Sequence, residues 1–156
     1  MYYKGGWEMK NNINAAVFLS LLFTMLFFSA SADAQSTKFV RAYRDSSYDM
    51  YVNRMDIISN QGVISFWVKS VYSDSGKALV KKELPQKLQN APVAYGLDYF
   101  VFDTKKGKYN IKLASVYANE KEIYREGNKK WLPVTQGTVA AALINEVNKV
   151  LAEKNK

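Results

Sequence analysis

The chain of 156 residues carries 22 lysines and arginines against 14 aspartates and glutamates, a formal net charge of +8, and contains neither histidine nor cysteine. Without histidine, the commonest general base, the commonest metal ligand and the imidazole of a nucleophilic triad are all missing. Without cysteine there is no disulfide, no thiolate chemistry and no lipid-modified cysteine of a bacterial lipoprotein.

Met9-Lys10 opens a short basic region, Ala15 to Phe28 is a run dominated by apolar residues, and Ser29 to Ala34 is small and polar. This order predicts a secretory signal peptide over residues 1–34. Cleavage at Ala32-Asp33-Ala34 leaves Gln35 first, with Ala30-Ser31-Ala32 as the neighbouring alternative. A membrane span needs ~20 apolar residues, which this run lacks, and no stop-transfer pattern follows it. Lys4-Gly5-Gly6 can be encoded AAA-GGA-GGN, a ribosome-binding sequence shortly ahead of an ATG for Met9, so translation is expected to begin at Met9.

Residues 35–156 are then a single domain of about 120 residues, large enough to bury its own core. The removed segment holds two bases, Lys4 and Lys10, and two acids, Glu8 and Asp33, so the mature charge stays at +8. A basic domain exported to the periplasm, cell surface or medium meets lipopolysaccharide phosphates, acidic glycans and acidic proteins; nucleic acid is not expected there. Charge kept for solubility alone is the competing reading.

Thr37 to Asp45 reads as a first strand, with Phe39 and Tyr43 on one face and Val40 and Ala42 on the other. A turn at Asp45-Ser46-Ser47 leads to a second strand, Tyr48 to Val52, and residues 53–56 form a turn or a single helical turn. Ser59-Asn60-Gln61-Gly62 is a turn signal before Gly62 to Tyr72, rich in β-branched and aromatic residues, which is the expected central strand. Its Ile64, Phe66, Val68, Ser70 and Tyr72 face the core; Trp67 and Lys69 lie opposite, on a side that is not fully wet. Ser73-Asp74-Ser75-Gly76 reads as a turn. Lys81 to Pro92, with two prolines among charges and amides, reads as a mobile loop carrying at most a brief helix.

Val93 to Asp103 is apolar on both sides, Tyr95, Leu97, Tyr99 and Val101 against Phe100 and Phe102, as an interior strand should be. Thr104 to Gly107 reverses the chain into Lys108 to Ala118, where Tyr109, Ile111, Leu113 and Tyr117 alternate against Asn110 and Lys112. Residues 122–126 form a short edge strand. A closing helix starts at Thr135 or Thr138, and Ala140, Leu143, Ile144, Val147, Val150 and Leu151 form its apolar stripe.

Three pieces together resemble the bacterial surface-adhesin protein E domains. They are Tyr51-Val52-Asn53 with Ile57 leading into Val63 to Lys69, the paired strands around Tyr99 to Tyr117, and Trp131-Leu132-Pro133-Val134 before Thr135 and the terminal helix. The resemblance spans residues 38–151 and rests on packing residues. It implies an α+β fold, a single antiparallel sheet of about six strands with the C-terminal helix on its concave face, in accord with the strand count above. Many members carry a disulfide from near residue 104 to the helix end; both cysteines are absent here, so the apolar stripe must hold the helix alone. The founding adhesin binds host matrix proteins and haem, but the sequence matches no motif for either.

No residue pattern supports catalysis. Asp98 and Asp103 fall on opposite faces of one strand and make a poor acid and base pair. Asp45, Asp49 and Asp56 lack the oxygen density of a calcium loop and suit turn capping. Ser65 and Lys69 are too far apart along a strand for a dyad, and there is no glycine-rich phosphate loop. The chain reads as a non-enzymatic binding module without cofactor or metal, and haem could be held only by tyrosine or methionine.

The binding candidates are Lys105, Lys106 and Lys108 on one hairpin, Lys129, Lys130 and Trp131 before the helix, and Lys81 and Lys82 in the loose loop, among the nine tyrosines left when Tyr2 and Tyr3 are removed from eleven. Lysine beside Tyr and Trp suits acidic glycans, lipopolysaccharide or host matrix protein. A periplasmic structural or small-ligand module, with Tyr95, Tyr99 or Phe102 lining a groove between helix and sheet, is the alternative. A homodimer through an edge strand is left open.

Overall fold

A computed structural model describes residues 38–154; the expected signal peptide and the Met9 start lie outside them. The elements in chain order are β1 (Phe39–Arg44), β2 (Tyr48–Asn53), a 310 turn (Arg54–Asp56), β3 (Ile58–Asn60), β4 (Val63–Tyr72), α1 (Asp74–Glu83), a 310 turn (Gln86–Leu88), β5 (Val93–Asp103), β6 (Lys108–Ala118), β7 (Lys121–Glu126), β8 (Leu132–Pro133) and α2 (Val139–Lys154). The strands make one antiparallel sheet in the order β1-β2-β4-β5-β6-β7, with β3 on β4 and β8 on β6. The fold class is the expected one. Among the described residues no helix is long and apolar enough to cross a membrane.

Strand β4 is central because its alternation is the most complete. Ile64, Phe66, Val68 and Ser70 are buried in turn while Ser65, Trp67 and Lys69 between them stay half-buried. The buried set meets Phe100 and Phe102 of β5, Phe66 stacking on Phe100 with ring centroids 5.7 Å apart. Onto this face α2 lays Leu143, Ile144, Val147 and Val150, which join Met50, Val52 and Ile57 in one core. Each such side chain contributes ~1.5–3 kcal/mol on full burial, so α2 is stable through docking. Thr138 starts the helix, its Oγ1 accepting from the Ala141 amide at 3.4 Å. At the far end Lys154 Nζ donates to the Arg54 carbonyl at 2.7 Å, and Glu153 pairs with Arg54.

Four local expectations are corrected. Tyr43 joins Val40 and Ala42 on the helix face, because the β1–β2 register shifts between Arg41 and Tyr43. Leu113 and Tyr117 lie away from Tyr109 and Ile111, because the β5–β6 ladder pairs Tyr99 with Leu113 but Phe100 with Ile111, leaving Lys112 as the extra residue. One inserted residue sends every later side chain to the other face. The turn expected over residues 59–62 is present but narrower: Ser59 and Asn60 belong to β3, and Gln61 and Gly62, both at positive φ, join it to β4 as a hairpin.

The fourth is helix α1, where a turn and a loop were expected. Ser73 caps it, accepting from the Gly76 amide at 3.2 Å, while its own hydroxyl donates to the Ser46 carbonyl at 2.8 Å. Gly76 sits so close to the β1–β2 turn that a Cβ there would lie 1.9 Å from the Ser47 carbonyl oxygen. The helix is therefore made by its cap and by close docking on Ser47. Its own apolar pattern is weak: Leu79 is exposed and the buried Leu84 falls just after its end.

Candidate functional site

The face of the sheet opposite α2 has no described helix over it. Across β2, β4, β5 and β6 the register aligns Tyr51, Lys69, Leu97 and Ser115; the next rows hold Trp67, Tyr99 and Leu113, and Val71, Tyr95 and Tyr117. The side chains shade one another. Trp67 and Tyr99 have ring centroids 5.0 Å apart, Tyr95 and Tyr117 stack at 4.8 Å, and Lys69 Nζ lies 4.6 Å from the Tyr95 ring centroid. Tyr95 and Tyr99 therefore belong to this open face, whereas Phe102 is buried under α2. The three do not line one groove.

A basic corner forms where β6 begins. The β5–β6 turn carries Lys105 and Lys106, with Asp103 accepting from their amides at 3.1 and 3.0 Å and Gly107 at positive φ. Those amide hydrogens, the Lys106 one foremost, hold the Asp103 carboxyl below the usual carboxylate range, so it stays ionised. Strand β8 returns alongside: Leu132 and Pro133 pair with Tyr109 and Lys108, and the Val134 amide donates to the Gly107 carbonyl at 2.9 Å. The segment before β8 is pinned to β6 by Asn110, whose fully buried side chain donates to the Lys130 carbonyl at 2.6 Å. This brings Lys129, Lys130 and Trp131 beside Lys108 and Lys112, with Lys112 Nζ 5.4 Å from the Trp131 ring centroid.

All six lysines of the corner and Trp131 are exposed. Asp103 pairs with Lys106 at 3.5 Å, and the other five have no carboxylate partner among the described residues. Lys81 and Lys82 stand apart, on α1 at the opposite end of β5; eleven residues of strand separate the two ends, about 35 Å. The two loop clusters named from sequence thus converge with each other and not with the third. Lys112 was missed, because only the pinning of the segment before β8 by Asn110 brings Trp131 to it.

A shallow cavity of about 200 Å³ opens between Asp45, Tyr48, Asp49, Val71, Tyr72 and Ser73. Its acids are already engaged. Asp45 accepts from the Ser47 and Tyr48 amides at 2.7 and 2.9 Å, and Asp49 accepts from Arg44 at 2.7 Å. These bonds hold both carboxyls below their usual range. Among the described residues no group of three acidic side chains could hold a metal ion.

On the helix face, Asp98 stands between Val68 and Ala114. Burial pushes its carboxyl up to about 7, against a lowering hydrogen bond from the Ser115 amide. Tyr72 lies beside it, over Gly96, where a Cβ would fall 2.2 Å from the tyrosine hydroxyl oxygen. Burial, then the Asp98 charge, raises Tyr72. No family model, curated protein or solved structure matches this chain.

Proposed function

We propose that this is an exported, non-enzymatic binding domain of the surface-adhesin protein E kind, which takes an anionic polymeric partner at its basic corner. The observation that carries the reading is the gathering of Lys105, Lys106, Lys108, Lys112, Lys129 and Lys130 where the β5–β6 turn, the start of β6 and the segment before β8 meet, with Lys112 over the exposed Trp131 and, among the described residues, Asp103 the only acid paired to any of the six. Charges held on a hairpin tip and a pinned segment attract a polyanion at long range, and screening weakens that attraction as salt rises. The indole adds a contact for an apolar or sugar face. Export rests on the signal-like segment of the sequence, and the kinship on the packing residues named above.

The test is retention of the purified chain, at low salt, on heparin, on lipopolysaccharide and on vesicles containing anionic lipid. Retention on at least one, lost as salt rises, is expected. Passage through all three unretarded would remove the support for this reading.

A further inference from the structure

The open face of the sheet is a second surface, distant in chemistry from the basic corner. We infer that the patch formed by Trp67, Lys69, Tyr95, Leu97, Tyr99 and Tyr117 is a docking surface for a protein partner that presents carboxylates around an apolar centre.

The ring geometry separates a protein from a sugar. Tyr95 and Tyr117 are parallel to within 7°, with centroids 4.8 Å apart, which is the spacing of neighbouring strands. Two rings stacked across that spacing stand upright on the sheet and show solvent their edges and hydroxyls. The Tyr95 ring also carries Lys69 Nζ at 4.6 Å, and Trp67 and Tyr99 turn toward each other at 44°. A sugar binds by lying flat on an open ring face, and Tyr95 at the middle of the patch, between the Tyr117 ring and the Lys69 ammonium, offers none. A protein surface uses ring edges, apolar area and phenol hydrogen bonds, and Tyr and Trp are enriched in such contacts.

Exposed apolar side chains extend the patch. Val63 and Val71 are each 41% exposed and Ile58 59% exposed, and all three belong to this face through their pairing with Asp103, Tyr95 and Ser65. Exposed apolar side chains gathered on one sheet face mark an interaction site more often than a wet surface.

Charge selects the partner. The carboxylates of this face are compensated, Glu122 by Arg125 at 2.6 Å, Asp49 by Arg44 at 2.7 Å and, at the edge shared with the basic corner, Asp103 by Lys106 at 3.5 Å. Lys69, at the centre, has no acidic partner among the described residues, and Arg41, on the same row beside Tyr51, makes no ion pair there although its charge helps hold the Asp49 carboxyl low. A second copy of the chain docked face to face about this centre would set Lys69 against Lys69, a like-charge contact that disfavours self-association. A partner bringing aspartate or glutamate to Lys69 meets no such penalty.

The experiment pans a displayed library of random twelve-residue peptides against the purified chain and measures the selected peptides on three variants: Lys69→Glu, Lys69→Gln and the corner variant Lys105→Glu/Lys108→Glu/Lys130→Glu. Thermal melts confirm that each variant is folded. The expected result is a selection enriched in acidic residues beside aromatic or aliphatic ones, weakened at least tenfold by Lys69→Glu, less by Lys69→Gln, and unchanged at the corner variant. Selected peptides that ignore Lys69→Glu, or that show no acidic excess, overturn the inference. So does sedimentation showing a dimer that Lys69→Glu dissociates, or heparin retention that depends on Lys69 while the corner variant keeps it. Failure of heparin, lipopolysaccharide and vesicle binding leaves this readout intact, so the two surfaces are judged separately.

Discussion

Asp98 makes the sharpest energetic test of the fold. Its carboxyl is on the helix face, between Val68 and Ala114 and close to the Tyr72 hydroxyl over Gly96, and it titrates at about 7. In the unfolded chain an aspartate titrates near 4, so from about pH 4 to about pH 7 the folded protein keeps a proton that the unfolded chain has lost. Stability contributed by the protonated form is therefore complete at about pH 4 and is lost as pH rises through this window. The loss amounts to about 4 kcal/mol for a fully buried group, and solvent at the outer edge of the carboxyl reduces it to about 2 kcal/mol.

Asp98→Asn keeps the shape and removes the titration. Urea unfolding at pH 4.5 and pH 7.5 should show the variant close to the wild type at the lower pH and more stable by about 2 kcal/mol at the higher one, a midpoint shift of about 1 M. Asp45, Asp49, Asp103 and Glu122 do not blur the reading. Their carboxyls are all held low, so the stability they contribute disappears only below about pH 4. Equal wild-type stability at the two pH values, or an Asp98→Asn variant weakened equally at both, would refute the argument.

Other perturbations test the packing. Leu143 is fully buried in the helix-face core, so Leu143→Ala should cost about 3–5 kcal/mol and Leu143→Asp should leave α2 undocked, as seen by loss of helical circular dichroism. Gly76→Ala places a methyl against the Ser47 carbonyl and should free α1 from the β1–β2 turn, giving fast amide exchange over residues 76–84 with the strand amides still protected. Glu153→Gln removes an exposed pairing with Arg54 and should change stability by less than about 1 kcal/mol; a larger loss in a denaturant melt would mean that the helix end is held by charge and not by its stripe.

Much of the fold was readable because β4, β5 and α2 each bury one consistent set of residues. Alternation places Phe66 and Phe102 without any knowledge of their partners, and the spacing of Leu143, Val147 and Val150 places α2. Readability fails where a long-range contact decides. A bulge is set by the partner strand, so the sides taken by Tyr43, Leu113 and Tyr117 cannot be had from their own strands. Helix α1 is held by Ser73 on the Ser46 carbonyl and Gly76 on Ser47, residues almost thirty positions away in sequence. The same limit applies to the surfaces. Lysine clusters stand out in the sequence, but only the return of β8 joins Lys130 to Lys108 and only the length of β5 parts them from Lys81 and Lys82. Tyr95 and Tyr99 share a strand with Phe102, and strand parity alone places them on the other face.

The most direct measurement is a heparin titration over a range of salt, comparing the wild type with Lys105→Glu/Lys108→Glu/Lys130→Glu and with Lys81→Glu/Lys82→Glu. A corner that holds the polyanion gives a steep salt slope in the wild type, a shallow one with much weaker binding in the first variant, and a slope close to the wild type in the second. Weakening by both variants in proportion to the charge each reverses would show that net charge alone does the work and that the corner is no site.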